Sequence, residues 1–194
     1  MDQPVSWKGN QNYQLAEDAE LVSAAQQNPA RFEELYLKWL KPVYRYFYFR
    51  LGNVKDAEDL TSQVFLKAYK DLPRYRNQGA FSAWLFSIAH ARLVDHYRKG
   101  SRKAVRDIDI EQLEIPSNLP GPLSQATIQS EIEQLFSLLK GLTEKEQTLI
   151  RLRFIAELSY REIGEILGCK SDTARKSVSR LLDRLKLKME KAHE

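Results

Sequence analysis

The sequence predicts an all-α protein of two small helical domains joined by an extended linker. Three observations carry this reading. Apolar residues recur at spacings of three and four through most of the chain, the period of a helix with one buried face. Helix start and stop signals punctuate those stretches: a Ser, Thr or Asn at the start, and a Gly at several ends. Between Ser101 and Leu123 the periodicity dissolves into acidic residues followed by prolines and a glycine, which separates the helical stretches into two groups.

The 194 residues suffice for one or two domains with a real core. Apolar content of 43% and charged content of 29% are those of a globular protein. A net charge of only +4 means that affinity for nucleic acid must come from local patches. One cysteine excludes a disulfide within the chain, and Cys169 reads as a small buried hydrophobe rather than a nucleophile or ligand. No apolar run reaches the length of a membrane span, and the N-terminus lacks a basic-then-apolar signal pattern. A reducing cytoplasm, without membrane insertion, is the expected setting.

In chain order, residues 1–17 are expected to form a flexible polar tail, with helical pattern beginning near Asp18. Leu21, Val22 and Ala25 make a short amphipathic segment that Asn28 and Pro29 interrupt. Phe32, Leu35, Tyr36 and Trp39 open the next helix, which Pro42 is expected to bend or restart before Val43, Tyr44, Phe47, Tyr48 and Leu51. So many aromatics are open to two readings, base stacking or core packing, and their helical spacing favours the core. Gly52 ends this helix. Asn53 opens another, with Leu60, Val64 and Leu66-Lys67-Ala68 toward its buried side and Asp56, Glu58 and Asp59 in its first turns. Those acids complement the helix dipole or form a docking surface for a basic partner. They lack a His or further acid at metal-ligand spacing, so neither metal nor cofactor is expected.

A basic, aromatic loop follows, Arg74-Tyr75-Arg76-Asn77-Gln78-Gly79, and leads into a helix with Phe81, Trp84, Leu85, Ile88 and Leu93 inward. Its far end is basic, with Arg92, His96, Arg98 and Lys99. His90 and His96 are six apart and lie on different faces, so they do not chelate one metal as an i, i+4 pair would. The linker spans residues 101–123, enough for about 75 Å if extended.

The second domain runs over 124–194. Ser124 to Leu142 forms an amphipathic helix, and Thr143 with Glu146 makes a capping box for a helix through Ile155. Ser159 with Glu162 makes another, ahead of Ile163, Ile166 and Leu167. Gly168 stands at a C-cap, and Ser171 or Asp172 caps a second helix whose Val178, Leu181, Leu182 and Leu185 share a face. This is a helix-turn-helix pattern. Thr173, Lys176 and Arg180 point away from the apolar stripe, flanked by Arg175 and Ser179, and these side chains are suited to phosphates and base edges. From Lys170 to Lys191 there are eight Lys or Arg against three acids. A solvated surface helix is the alternative reading of this face.

Taken together, the acidic D-A-E-D-L helix, the basic aromatic loop, the F-S-A-W-L helix, the acidic linker with prolines and the C-terminal helix-turn-helix resemble the extracytoplasmic-function sigma factors of bacterial RNA polymerase, from about Leu21 to Lys188. The resemblance implies a sigma region 2-like domain over 18–100 and a sigma region 4-like domain over 124–194. Asp56, Glu58, Asp59 and Gln63 would dock on the clamp helices of the polymerase largest subunit, and the second domain near the flap region. Arg74, Tyr75, Arg76, Asn77, His90 and Arg92 would capture and open the minus-10 element, with Trp84 in the core. Thr173, Arg175, Lys176, Ser179 and Arg180 would read the minus-35 element as duplex. The linker would thread the RNA channel, and an anti-sigma factor would cover the polymerase-binding faces. The chain departs from the family at three places: Gln63 stands where Glu is usual, Ala91 where Asn is common, and Lys176-Ser177 where Ser-Arg is common.

Three functions compete. A promoter-specificity subunit needs core polymerase and catalyses nothing. A stand-alone helix-turn-helix regulator needs a dimerisation surface and a palindromic site, and no separate dimer helix is evident. An enzyme finds no P-loop, nucleophile elbow or paired catalytic histidines to support it.

Overall fold

The computed structural model describes residues 8–76, 80–98 and 141–192, with side chains described from Glu17 to Glu190 within them. The expected linker over 101–123, most of the expected Ser124–Leu142 helix, and Asn77, Lys99 and residues 1–7 lie outside the described residues. All regular elements described are helical. They are α1 (Lys8–Gln27), α2 (Phe32–Leu51), α3 (Val54–Asp71), α4 (Phe81–Arg98), α5 (Glu144–Ile150), α6 (Tyr160–Leu167) and α7 (Ser171–Ala192), with short 3-10 turns at Pro29–Arg31 and Leu72–Arg74.

The tail expectation fails over residues 8–17, because α1 begins at Lys8. Its first ten residues, K-G-N-Q-N-Y-Q-L-A-E, carry no apolar stripe, so periodicity could not announce them. Once the buried Val22 and Ala25 anchor the C-terminal turns, each further turn adds hydrogen bonds without a new nucleation cost. Asn28 ends the segment, its side chain accepting from Ala30 N at 3.1 Å. Pro42 neither bends α2 sharply enough to break it nor restarts it, for the helix runs unbroken from Phe32 to Leu51. Proline removes one backbone bond, but Val43, Tyr46 and Phe47 on the next turn are fully buried, and that packing holds the helix through the gap. Gly52 closes α2 with φ 59°, the left-handed conformation that glycine adopts without a Cβ penalty.

Asn53 caps α3 as predicted, accepting from Asp56 N at 2.9 Å. Leu66, however, is 56% exposed rather than buried, and Lys67 is exposed beside it; Ala57, Leu60, Thr61, Val64, Phe65 and Ala68 form the inner stripe. Between α2 and α4 the aromatics pack edge to face. Phe86 lies 5.6 Å from Tyr46 and 6.1 Å from Trp39, and between α2 and α3 Phe32 meets Tyr69 edge to face at 5.2 Å. Phe47 and Tyr48 are core residues, as their place on the apolar face suggested; Tyr44 is only half-buried, and Tyr46, which the pattern did not mark, is fully buried. Near this cluster a buried Asp18 pairs with Lys38 at 2.9 Å and accepts from Trp39 Nε1 at 3.2 Å, tying α1 to α2.

In the second half, α5 opens on the predicted Thr143–Glu146 capping box and passes directly into a five-residue π-helical turn, Arg151–Ile155. This widened turn holds two buried arginines. Arg153 donates to Leu158 O at 2.8 Å and lies 4.7 Å from the Tyr160 ring. Arg151 faces the first half. Leu142, Leu181 and Leu185 make a small separate cluster, while Leu182 is 41% exposed and so leaves the apolar face narrower than predicted.

The two halves touch. α6 packs on α4, and the π-helical turn packs on α2. One cluster of buried apolar side chains runs from Val22 through Phe86 to Leu152, Ile163 and Val178. The sequence predicted two groups of helices and said nothing of this shared core.

Candidate nucleic-acid interface

The helix-turn-helix is built by local chemistry. Ser159 accepts from Glu162 N at 3.2 Å, and the Glu162 carboxylate accepts from Ser159 N at 2.7 Å, completing the predicted box. Gly168 ends α6 at φ 65°, its N–H satisfying Gly164 O. The next helix starts one position earlier than predicted: Lys170, not Ser171 or Asp172, offers the carbonyl that takes the first bonds, from Thr173 and Ala174. Ser171 and Asp172 fall within the first turn, where Asp172 complements the dipole.

Gly164 sets the angle between the helices. A Cβ built there would stand 2.6 Å from Cys169 O, whereas one at Gly168 would meet nothing within 4 Å. We expect Gly164→Ala to cost about 1–3 kcal/mol through overpacking against backbone, and Gly168→Ala about 1 kcal/mol through its left-handed φ. Urea unfolding of both variants checks this, and a larger loss at Gly168 would mean that conformation, not close approach, governs the turn.

The α7 face is set out as the sequence predicted. Thr173, Arg175, Lys176, Ser179 and Arg180 are all exposed, and Ala174, Val178 and Leu181 are buried beneath them. Arg175 makes a solvent-exposed pair with Asp172 at 3.3 Å. Such pairs contribute little and are easily exchanged for another anion.

On the other half, Arg74, Tyr75 and Arg76 are brought together at a cavity of about 470 Å³ whose wall also includes Ala83, Trp84 and Ser87. Tyr75 stands 4.7 Å from the Trp84 ring and 6.0 Å from Phe81. Gln26 of α1 fixes the loop, donating to Leu72 O at 2.9 Å and to Tyr75 O at 2.7 Å. Trp84, predicted to be core, is only part-buried and lines this cavity. Gln26, Ala83 and Ser87 were not singled out by sequence: an exposed Gln on a distant helix and two small residues carry no motif.

His90 is not in that group. Its Nδ1 is 3.1 Å from the hydroxyl of the buried Tyr46, on the side of α4 that faces the second half. Burial, and then the Arg151 charge, lower its pKa. Burial pushes Tyr46 up to about 12. Arg92 is half-buried on α4. On α3, Glu58, Asp59 and Gln63 are exposed and Asp56 is half-buried at the capped end; Asp56, Asp59 and Gln63, spaced three and four apart, share one side of the helix, and Glu58 lies on another. Among the described residues no group of three or more His, Cys, Asp or Glu is placed to hold a metal.

Residues 35–103 match the family Sigma-70 region 2, and residues 138–187 match Sigma-70, region 4. The chain is 30% identical to the RNA polymerase sigma factor YlaC of Bacillus subtilis, over 84% of this chain and 94% of YlaC. This chain belongs to the extracytoplasmic-function sigma factors. It is also 34% identical to the ECF RNA polymerase sigma factor BldN of Streptomyces coelicolor over 77% of its own residues, though it spans only 57% of BldN's length. The sigma factor shares its fold with CnrH, solved in complex with the cytosolic domain of CnrY (TM-score 0.63, 19% identity, 89% of this chain and 97% of that one). The same fold is seen in RpoE of Bartonella quintana, solved with the anti-sigma factor NepR (TM-score 0.57, 22% identity, 82% of this chain and 96% of that one). Membership of this family replaces the stand-alone regulator as the reading of the helix-turn-helix. No described helix is long and apolar enough to cross a membrane.

Proposed function

We propose that this sigma factor binds core RNA polymerase and directs initiation at promoters with two sequence elements, and that it catalyses nothing itself. The observation that carries the reading is the presence, in one chain, of two unlike surfaces each suited to DNA. One is an exposed basic helix face suited to a duplex groove. The other is an arginine and aromatic cavity of a size for an unstacked base. A regulator that only recognises duplex has no use for the second.

In this reading residues 18–100 are the polymerase-docking and strand-binding part and residues 124–194 the duplex-reading part. Asp56, Glu58, Asp59 and Gln63 meet a basic surface of the polymerase. Arg74, Tyr75 and Arg76 hold the opened minus-10 strand, and Trp84 extends the stacking wall of that cavity. Thr173, Arg175, Lys176, Ser179 and Arg180 read the minus-35 duplex. An anti-sigma protein is the proposed inhibitor, as NepR is the anti-sigma partner of the RpoE fold relative.

The test is transcription by sigma-free core polymerase on pooled genomic fragments, with and without the protein. New start sites sharing two upstream motifs are expected. Binding to core without any new start, using the polymerase of the same organism, would overturn the reading.

A further inference from the structure

The turn that delivers Tyr75 and Arg76 to their cavity is held from a distant helix by a single side chain. Gln26 lies in the last turn of α1, which packs on the Leu72–Arg74 turn and on α4. A carboxamide NH2 has two donors, and Gln26 uses them on two carbonyls that bracket this turn, Leu72 O at 2.9 Å and Tyr75 O at 2.7 Å. Leu72 O also accepts from Tyr75 N at 3.0 Å, so both of its lone pairs are engaged. The bonds close a clamp around Pro73 and Arg74, and Pro73 brings no N–H of its own to help.

The bond to Tyr75 O has the longer reach. That oxygen belongs to the planar peptide joining Tyr75 to Arg76, so fixing it fixes the ψ of Tyr75, here 123°, and with it the direction in which Arg76 leaves. It also holds the backbone position from which the Tyr75 ring stands 4.7 Å from Trp84 and 6.0 Å from Phe81. Leu72 and Phe81 are buried on either side, whereas Pro73, Arg74 and Arg76 are exposed and take little support from packing. α1 does not need Gln26 to be seated, because the buried Val22 and Ala25 and the Asp18–Lys38 pair already attach it.

We propose that Gln26 is a positioning residue for strand capture: its carboxamide presets the Tyr75–Arg76 peptide, so that the tyrosine ring and the guanidinium already stand at the cavity when the strand arrives. α1 is thereby part of the minus-10 apparatus, although it supplies none of the described wall residues. Presetting raises the competent fraction and so the apparent affinity for an opened strand. Its loss slows opening and spares duplex contact by α7. The inference rests on the proposed role of the cavity.

Holoenzyme is reconstituted from core polymerase and the full chain as wild type, Gln26→Met or Gln26→Lys. Opening of a promoter mapped by the transcription experiment is followed by permanganate reactivity over a range of holoenzyme concentrations. Methionine keeps the length and helix propensity of glutamine and removes both donors, whereas lysine restores donors on a flexible stem. Losing one or two net hydrogen bonds corresponds to about five- to tenfold, so Gln26→Met should slow opening at saturation by that factor and change the half-saturating concentration by less than about twofold. Gln26→Lys should recover most of the rate. In the free protein, amide exchange at Tyr75 should quicken in Gln26→Met while the Leu60–Ala68 stretch of α3 exchanges as in wild type. Undiminished opening or unchanged Tyr75 exchange in Gln26→Met, or a loss that lysine does not repair, would overturn the inference. Arg76→Ala separates this from failure of the cavity reading. Intact opening in Arg76→Ala removes the strand-binding role itself, whereas slowed opening there beside full speed in Gln26→Met removes only the role of Gln26.

Discussion

Replacing Phe86 by alanine is expected to cost about 3–5 kcal/mol of folding stability, the range for a fully buried aromatic. The side chain has no solvent exposure and stands edge-on to Trp39 and Tyr46 at 6.1 and 5.6 Å, so its loss removes apolar burial and two ring contacts at once. The walls of the resulting cavity come from α2 and α4, whose neighbouring Phe47, Leu85 and Ala89 are themselves buried and have little room to collapse inward. A loss of this size is a large share of the 5–15 kcal/mol typical of a folded domain, so the first half should be the part that suffers. Urea unfolding, alongside Phe86→Leu at about 1 kcal/mol and the half-exposed Val94→Ala at about 0.5 kcal/mol or less, checks it. Equal losses at Phe86 and Val94 would mean that the aromatic cluster is not the core.

Arg175→Ala combined with Arg180→Ala should reduce promoter-specific initiation by a factor of ten or more while leaving binding to core polymerase intact. Both side chains are exposed on α7, and the buried Ala174, Val178 and Leu181 that seat the helix are untouched. An arginine that reaches guanine is worth about 1–3 kcal/mol of discrimination, and one that reaches a phosphate lowers affinity for all sequences alike. The two cases separate experimentally. Relaxed preference at one promoter position identifies a base contact, and a salt slope smaller by about one identifies a phosphate contact. The exposed Arg175–Asp172 pair is too weakly held to make the variant unfold. Core binding lost together with initiation would remove these residues from the DNA surface.

The elements that sequence made legible are those set by neighbours in the chain. The boxes at Thr143 and Ser159, the Asn53 cap and the left-handed glycines at 52 and 168 are bonds and angles within a few residues, and all are present. The exposed α7 face follows from a period of 3.6 acting on the same twenty residues. Periodicity was weaker where a stripe's edge was at issue. Leu66 and Leu182 continue apolar patterns by spacing, yet they lie at the margins of their helices' contact surfaces and are exposed. The N-terminal turns of α1 were invisible because they carry no pattern at all.

By itself, then, the sequence determined the helices, their caps, the helix-turn-helix and the order of motifs that identifies the family, because each rests on hydrogen bonds and side-chain spacings local to one segment. Only the tertiary structure decided that Arg50 meets Glu144 across 94 positions, that Ser82 meets Glu162 across 80, that His90 turns toward Tyr46, and that Glu165 stands at the cavity of Arg74, Tyr75 and Arg76. A helical period tells which face of a segment is apolar and not which other face will cover it. That choice is made by the packing of side chains from distant segments around a shared core.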